Sequence, residues 1–352
     1  MIGGLLQEVP RRGLILMATL LAGLIALPLV ASDYLITLLI LILYFAYVGQ
    51  AWNIMMGFAG QLSLGHALYV GLGAYAAAGL YVHYGISPWI GLWAAIAISA
   101  AAGAVIGFLA FRFGVAGVYF AILTIAFAEF ARIGFDHWTW LGGSAGLFLP
   151  VANYTQNDLL NLRGSPTMFY YVTLAMTGAA LVLCHALLRS RAGYYWLAIR
   201  ESPEAAQALG INIFRYKMYA VVLSAAMTSL GGVVFAFNYN NLFPEQVFHI
   251  SRSIELILGP IIGGIGTLFG PLVGAFLITA LGESLWEVLR AAGIDVPGVK
   301  QVFYGFCLLG VVMFLPDGVW PPLSRALGLD RKLPAGVWPW LARLLGLGGR
   351  HP

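Results

Sequence analysis

Charge is what this sequence has least of. Of 352 residues, 18 are Lys or Arg and 14 are Asp or Glu, together 9%, where a soluble domain carries roughly 25%. Hydrophobic residues make up 61% and the mean hydropathy is +0.88. A soluble chain of this size could not cover its surface with so few charges, and disorder requires the opposite composition. Lysine is scarcer still. Lys217, Lys300 and Lys332 follow Tyr, Val and Arg, whereas a phosphate-binding loop needs Gly-Lys-Ser/Thr. The polypeptide therefore holds no Walker A site, and any ATP that drives it must be bound by another chain. His-Glu-x-x-His and Cys-x-x-Cys are also missing, so no enzyme, metal centre or cofactor of its own is expected. Cys184 and Cys307 both fall in apolar runs and read as small core residues facing helix or lipid. The net charge of +4 sits at segment ends, which is the pattern of membrane topology and not of a nucleic-acid partner.

What is present is apolar length. From Tyr34 to Phe111 there is no charged residue, and further charge-free runs cover 13–32, 113–128, 164–188, 218–244, 256–282 and 301–316. A membrane helix takes about 20 apolar residues. The runs are continuous, without the alternation of a membrane β-strand, so the expected fold is an all-α, polytopic transmembrane bundle. Spans are predicted near 13–31, 34–56, 61–83, 87–111, 115–134, 167–188, 216–239, 253–267, 269–290 and 299–316. That makes ten, with eight or twelve left open by 61–83 and 253–290. The first is too long for the core of a secretory signal and is taken as a retained span. Residues 1–320 would form the transmembrane domain and 321–352 a cytoplasmic tail.

Two spans are interrupted. Gly57-Phe58-Ala59-Gly60-Gln61-Leu62-Ser63-Leu64-Gly65-His66 breaks the first long run, and Gly259-Pro260-Ile261-Ile262-Gly263-Gly264-Ile265-Gly266 breaks a later one. The first joint is either a broken helix, buried or lining a wet cavity, or a short cytoplasmic turn with small-residue packing. Interrupted segments in two halves of a chain point to an inverted repeat with a pathway at its interface. Gly57, Gly60, Gly65, Gly263, Gly264 and Gly266 are the expected hinges. Asn53, Gln61 and Ser63 are candidates to line the pathway or hinge. His66 is a further pathway candidate, read as a structural hydrogen-bonder or, alternatively, a proton relay.

The stretch 189–217 carries Arg189, Arg191, Arg200, Arg215 and Lys217 against Glu201 and Glu204. By the positive-inside rule this loop is cytoplasmic, and Arg11, Arg12 and the basic tail place both termini there too. Within it, Ser202 can cap a helix with Pro203 at its first position, and Gly210 can end it. Such a short helix calls for a docking partner, or it lies along the lipid headgroups.

Glu204-Ala205-Ala206 followed after three residues by Gly210 resembles the coupling-helix motif of ABC importer permeases. The joint at 57–67, Gly117–Ile122 with Ala126–Glu129, Gly142–Gly146, Ala205–Lys217, and Ser253–Glu255 leading to Gly263–Thr267 resemble, in order, the branched-chain amino acid importer permease family over about 45–315. The resemblance implies the larger, roughly ten-helix importer fold in a bacterial inner membrane. It also implies a second related permease, two cytoplasmic ABC ATPases that use the ATP, and a periplasmic solute-binding protein. The lipid bilayer surrounds the chain. Leu, Ile and Val are the implied solutes, with urea, short amides or aromatic acids as alternatives. Glu204, Ala205, Ala206 and Gly210 would couple to the ATPase.

Ionisable residues within spans are functional candidates. Glu129 and Arg132, spaced i, i+3, are expected to pair, and Glu129 is a pathway candidate. Glu283, Glu287 and Arg290 lie near a helix end, where snorkelling also accounts for them. A secondary transporter coupled to an ion gradient is the rival from another class. It needs intramembrane carboxylates, and the run 34–111 has none.

Overall fold

The computed structural model describes residues 19, 21–150, 157–291, 293 and 298–327. Two compact units are distinguished, Pro28–Trp320 and a second formed by Met1–Leu27 with Pro321–Pro352. The description concerns the first. Of the expected first span, residues 13–18 and 20 lie outside the described residues, as do the tail cations beyond 327 and Asn153 and Gln156 in the long polar stretch.

The elements are helices: α1 Asp33–Asn53, continuing as a π-helical turn Ile54–Phe58, then α2 His66–Tyr84, α3 Pro88–Arg112, α4 Val118–Asp136 and α5 Pro166–Leu188. Next come α6 Arg191–Glu201, α7 Pro203–Ala208, α8 Ile213–Tyr239, α9 Pro244–Phe248, α10 Ile250–Gly263, α11 Gly270–Ala291 and α12 Val299–Phe314, with a last short helix Trp320–Ala326. Leu147–Phe148 and Asn241–Leu242 form one two-residue antiparallel pairing.

Among the described residues six helices are long and apolar enough to cross a membrane: α1 with its π-turn (26 residues), α3, α4, α5, α8 and α11. Three further expected spans do not meet that length and apolarity. α2 has 19 residues but carries His66, His83 and four tyrosines, α10 has 14 residues, and α12 has 16. At 1.5 Å per residue the last two reach only about 21–24 Å, less than a ~30 Å hydrocarbon core.

Helix starts follow local chemistry. Ser32 accepts from the Leu35 amide, and Pro88 and Pro166 open α3 and α5, where a missing N–H costs nothing. α8 starts at Ile213, ahead of the expected 216, because the Asn212 side chain caps Arg215 N at 2.9 Å.

α1 and α8 are the central helices, with 72% and 78% of their apolar windows buried against 22–33% for α3, α4, α5 and α11. Lipid offers no hydrophobic drive between helices, so close approach and hydrogen bonds must hold them. Accordingly α8 meets α2 at backbone contact: a Cβ on Gly73 would overlap the Ser229 carbonyl, and one on Gly232 the Val70 carbonyl. Side-chain bonds add to this. Tyr47 donates to Met227 O at 2.9 Å and Thr177 to Leu43 O at 3.0 Å, tying α1 to α8 and α5.

Candidate functional site

The first joint is neither continuous helix nor exposed turn. After the π-turn, residues 59–65 run irregularly, and every one is buried or half-buried. Irregular backbone inside an apolar bundle is tolerated only when its polar groups find protein partners. They do. Gly60 takes φ +68°, Gln61 N bonds Met55 O at 2.9 Å, and the Gln61 side chain bonds Ala59 O at 2.8 Å. Trp52 Nε1 donates to Ser63 O at 2.9 Å, and Leu64 N to Thr124 Oγ1 at 3.1 Å. Gly65 lies against the Thr124 carbonyl with no room for a Cβ. α2 therefore starts at His66 and not at the expected 61, because these local bonds compete with a helical continuation.

His66 is fully buried. Its Nδ1 lies 3.2 Å from Ser63 Oγ and its Nε2 3.0 Å from Ser224 Oγ. Ser224 spends its proton on Ala51 O at 2.7 Å, so Nε2–H must donate to Ser224 and Nδ1 must accept from Ser63. Both ring nitrogens are occupied, as a structural hydrogen-bonder requires.

The second interruption comes to the first. α10 ends at Gly263, Gly264 and Gly266 take φ of +123° and +79°, and α11 starts at Gly270. Gly263 stands against the Gly270 carbonyl. Asn53 bridges the two breaks: its Oδ1 accepts from Gly266 N at 2.8 Å and its Nδ2 donates to Thr267 O at 2.9 Å. A Cβ on Gly57 would meet Gly266 N at 2.6 Å. Asn53, Gln61, Ser63 and His66 are thus all buried, with their polar groups turned to protein partners.

The cationic loop folds as α6 and α7. Ser202 Oγ accepts from Ala205 N at 3.3 Å, and Pro203 opens α7. The far end closes with Gly210 N on Gln207 O at 2.9 Å, Ile211 N on Ala206 O at 3.1 Å, and Gly210 at φ +80°. This is a Schellman closure, which glycine adopts without Cβ strain. Glu204, Ala205, Gln207 and Gly210 are exposed and Leu209 is 81% exposed, but Ala206 is buried. Of the two alanines expected to couple to the ATPase, only Ala205 is on the exposed face. Ala206 packs inward.

Glu129 lies on α4, five residues beyond Thr124. As its spacing implies, it pairs with Arg132 at 2.6 Å, and Arg132 also meets Asp136 at 3.0 Å and Glu245 at 2.6 Å. Glu287 lies near Tyr34, Arg290 lies over the Trp286 ring, and Glu283 edges a cavity of about 470 Å³ with Tyr34, Tyr44 and Tyr239.

Gly142–Gly146 has the spelling Gly-x-Ser-x-Gly of a serine-hydrolase nucleophile. It forms one 3-10 turn, Gly143–Ala145, with Ser144 exposed, not the strand-to-helix elbow that presents a nucleophile.

Sequence reasoning missed Ser224, Thr124, Ser253 and Arg200 as members of the joint. Ser253 Oγ accepts from Ala67 N at 2.9 Å, and Arg200 Nη1 donates to Gly57 O at 2.6 Å. The available signal for Ser224 and Thr124 was a hydroxyl within an apolar run, whereas Ser253, between Arg252 and Glu255, had only its place in the family motif. Arg200 had none beyond its charge.

The sequence model of a family described as the permease component of branched-chain amino acid transport systems matches residues 34–312. The chain is 27% identical over 332 residues to the high-affinity branched-chain amino acid transport system permease protein LivM of Salmonella typhimurium, covering 88% of this chain and 75% of that protein. The LivM protein of Escherichia coli K12 is likewise 27% identical, over 87% of this chain and 74% of its own length. The autoinducer 2 import system permease protein LsrC of Enterobacter sp. 638 is 28% identical over 60% of each chain. No solved structure matches.

Proposed function

The chain belongs to the permease-component family of branched-chain amino acid transport systems, and on that premise we propose that it is the membrane-spanning subunit of an ABC importer. It would carry a small polar solute, branched-chain amino acids first, from a periplasmic binding protein to the cytoplasm. It would sit in a bacterial inner membrane with both termini inside, about ten spans, a second related permease and two cytoplasmic ATPases. ATP is used by those partners. The observation that carries this reading is α7: two turns of helix, capped at both ends and exposed on the face of Glu204 and Ala205. A helix this short is marginal alone in water and gains from a partner to dock on. ATP-driven closure of the ATPases would displace the docked helices and rock the bundles between outward and inward access. Asn53, Gln61, Ser63, His66 and Glu129 remain the pathway candidates. The buried, bonded state of the first four fits a closed gate, which would have to break bonds to open. Urea, short amides and aromatic acids are the alternative cargoes, and relatives named for autoinducer 2 and nucleoside transport widen that range.

The test is competition. Vesicles holding the assembled complex, with its binding protein outside and ATP inside, should accumulate labelled leucine, and unlabelled isoleucine and valine should compete. Competition by urea, amides or aromatic acids alone would move the cargo to those classes.

A further inference from the structure

We propose that Arg200 is the positioning residue through which α7 acts on both interrupted segments. The inference rests on the reading of α7 as the docking helix. α6, which carries Arg200 in its last turn, is held firmly on the bundle. Trp196 is buried and its Nε1 donates to Tyr216 O at 2.8 Å, and Gly193 and Ile199 are buried on the same face. From this base the Arg200 side chain, 35% exposed, reaches inward. Its Nη1 donates to Gly57 O at 2.6 Å, while Nη2 pairs with Glu201 at 3.0 Å. Gly57 stands in the closing turn of the first interrupted helix, where carbonyls lose their intrahelical partners. A cation there meets the negative end of the helix dipole and makes a charge-assisted bond.

The same side chain touches the other partners of the joint. A Cβ on Gly60 would lie 3.0 Å from Arg200 Cγ, and one on Gly266 would lie 2.5 Å from Arg200 Nη1. Arg200 thus fits against three glycines, two on the first break and one on the second. Asn53, one helical turn before Gly57, fastens the second break to the first. On the outward side the link is short. Glu201 alone separates Arg200 from Ser202, whose side chain caps α7. A displacement of α7 therefore pulls on a guanidinium that touches both breaks, and Gly57, Asn53 and Gly266 move with it. Arg200 touches no solute in this account; it transmits.

The experiment compares Arg200→Lys, Arg200→Gln and Arg200→Ala in the full complex with ATPases and binding protein. ATPase retention on purification, ATP hydrolysis and solute uptake are measured together. The expected result is that the ATPases stay bound and hydrolysis continues. Solute moved per ATP should fall tenfold or more in Arg200→Ala, within the range of coupling energies. Arg200→Lys, which keeps a cation able to reach the carbonyl, should recover most of it, and Arg200→Gln should fall between. A wild-type ratio in every variant that assembles overturns the role of Arg200, whatever happens to the absolute rates. Should Arg200→Ala fail to assemble, the Lys and Gln variants decide by the same ratio. The docking reading is tested separately by Gly210→Val. A Gly210→Val complex that keeps its ATPases and its uptake removes the docking of α7. An unchanged ratio in the Arg200 variants removes only the link through Arg200.

Discussion

Single side chains in this molecule are judged by what lies within a bond length of them. Gly65 and Gly178 are both glycines in apolar surroundings, yet a Cβ on Gly65 would run into the Thr124 backbone, while one on Gly178 meets nothing within 4 Å. Gly65→Ala is therefore expected to destabilise the protein by about 1–3 kcal/mol or more, since backbone cannot step aside as a side-chain tip can. Gly178→Ala, in the exposed interior of α5, should be neutral or stabilising by up to ~1 kcal/mol. Thermal unfolding in detergent of the two variants checks the contrast, and equal losses would contradict it. Ser224 and Ser284 form a second pair. Ser224 links His66 to Ala51 O, so Ser224→Ala leaves two buried groups short of a partner and should cost about 1–2 kcal/mol. Ser284 only bonds back to Ala280 O of its own helix at 2.7 Å, and Ser284→Ala should lie within about 0.5 kcal/mol of wild type.

At the scale of elements, α7 makes the sharpest claim. Replacing Gly210, at φ +80°, by Val adds a β-branched side chain to a left-handed residue, a strain of about 1–2 kcal/mol or more. The Schellman closure would loosen without touching any apolar span. Gly210→Val and Glu204→Lys are each expected to insert at normal levels while binding-protein-stimulated ATP hydrolysis and uptake drop together. Normal uptake in both would leave α7 as a surface helix only.

Much of this element was legible in the sequence because its signals are local: Ser202, Pro203 and Gly210 each act within three residues. The long apolar helices α3, α5 and α11 were legible for a similar reason, and their boundaries fall within one or two residues of expectation. The joint was legible as a break but not in form. Whether Gln61 and Ser63 continue a helix depends on whether they bond their own backbone, and composition does not say. The side chains that close the site were not legible, since Asn53 to Thr267 and Arg200 to Gly57 are contacts 214 and 143 residues apart. Arg200 reads in the sequence as a topological cation, and its second use shows only when the chain is folded. The hydropathy of α2, α10 and α12 read as spans, whereas two are too short and one is too polar to stand among the six.

At the scale of the whole molecule, the distribution of charge sets the orientation. The cations of 189–217 and the basic tail should all face the cytoplasm. A reporter fused to the C-terminus that is active only inside, such as a fluorescent protein, should report there. A periplasmic phosphatase signal would overturn the even span count. The same poverty of charge sets the energetics of transport. With three lysines, none following glycine, the polypeptide has no phosphate-binding loop of its own, and under the proposed function the work arrives through α7 from another chain. The most direct measurement is leucine uptake into proteoliposomes that contain either this chain alone or the complete assembly with its ATPases and binding protein. The account predicts uptake only by the assembly and only with ATP. Sustained uptake by the lone chain, driven by an ion gradient or by ATP, would contradict it.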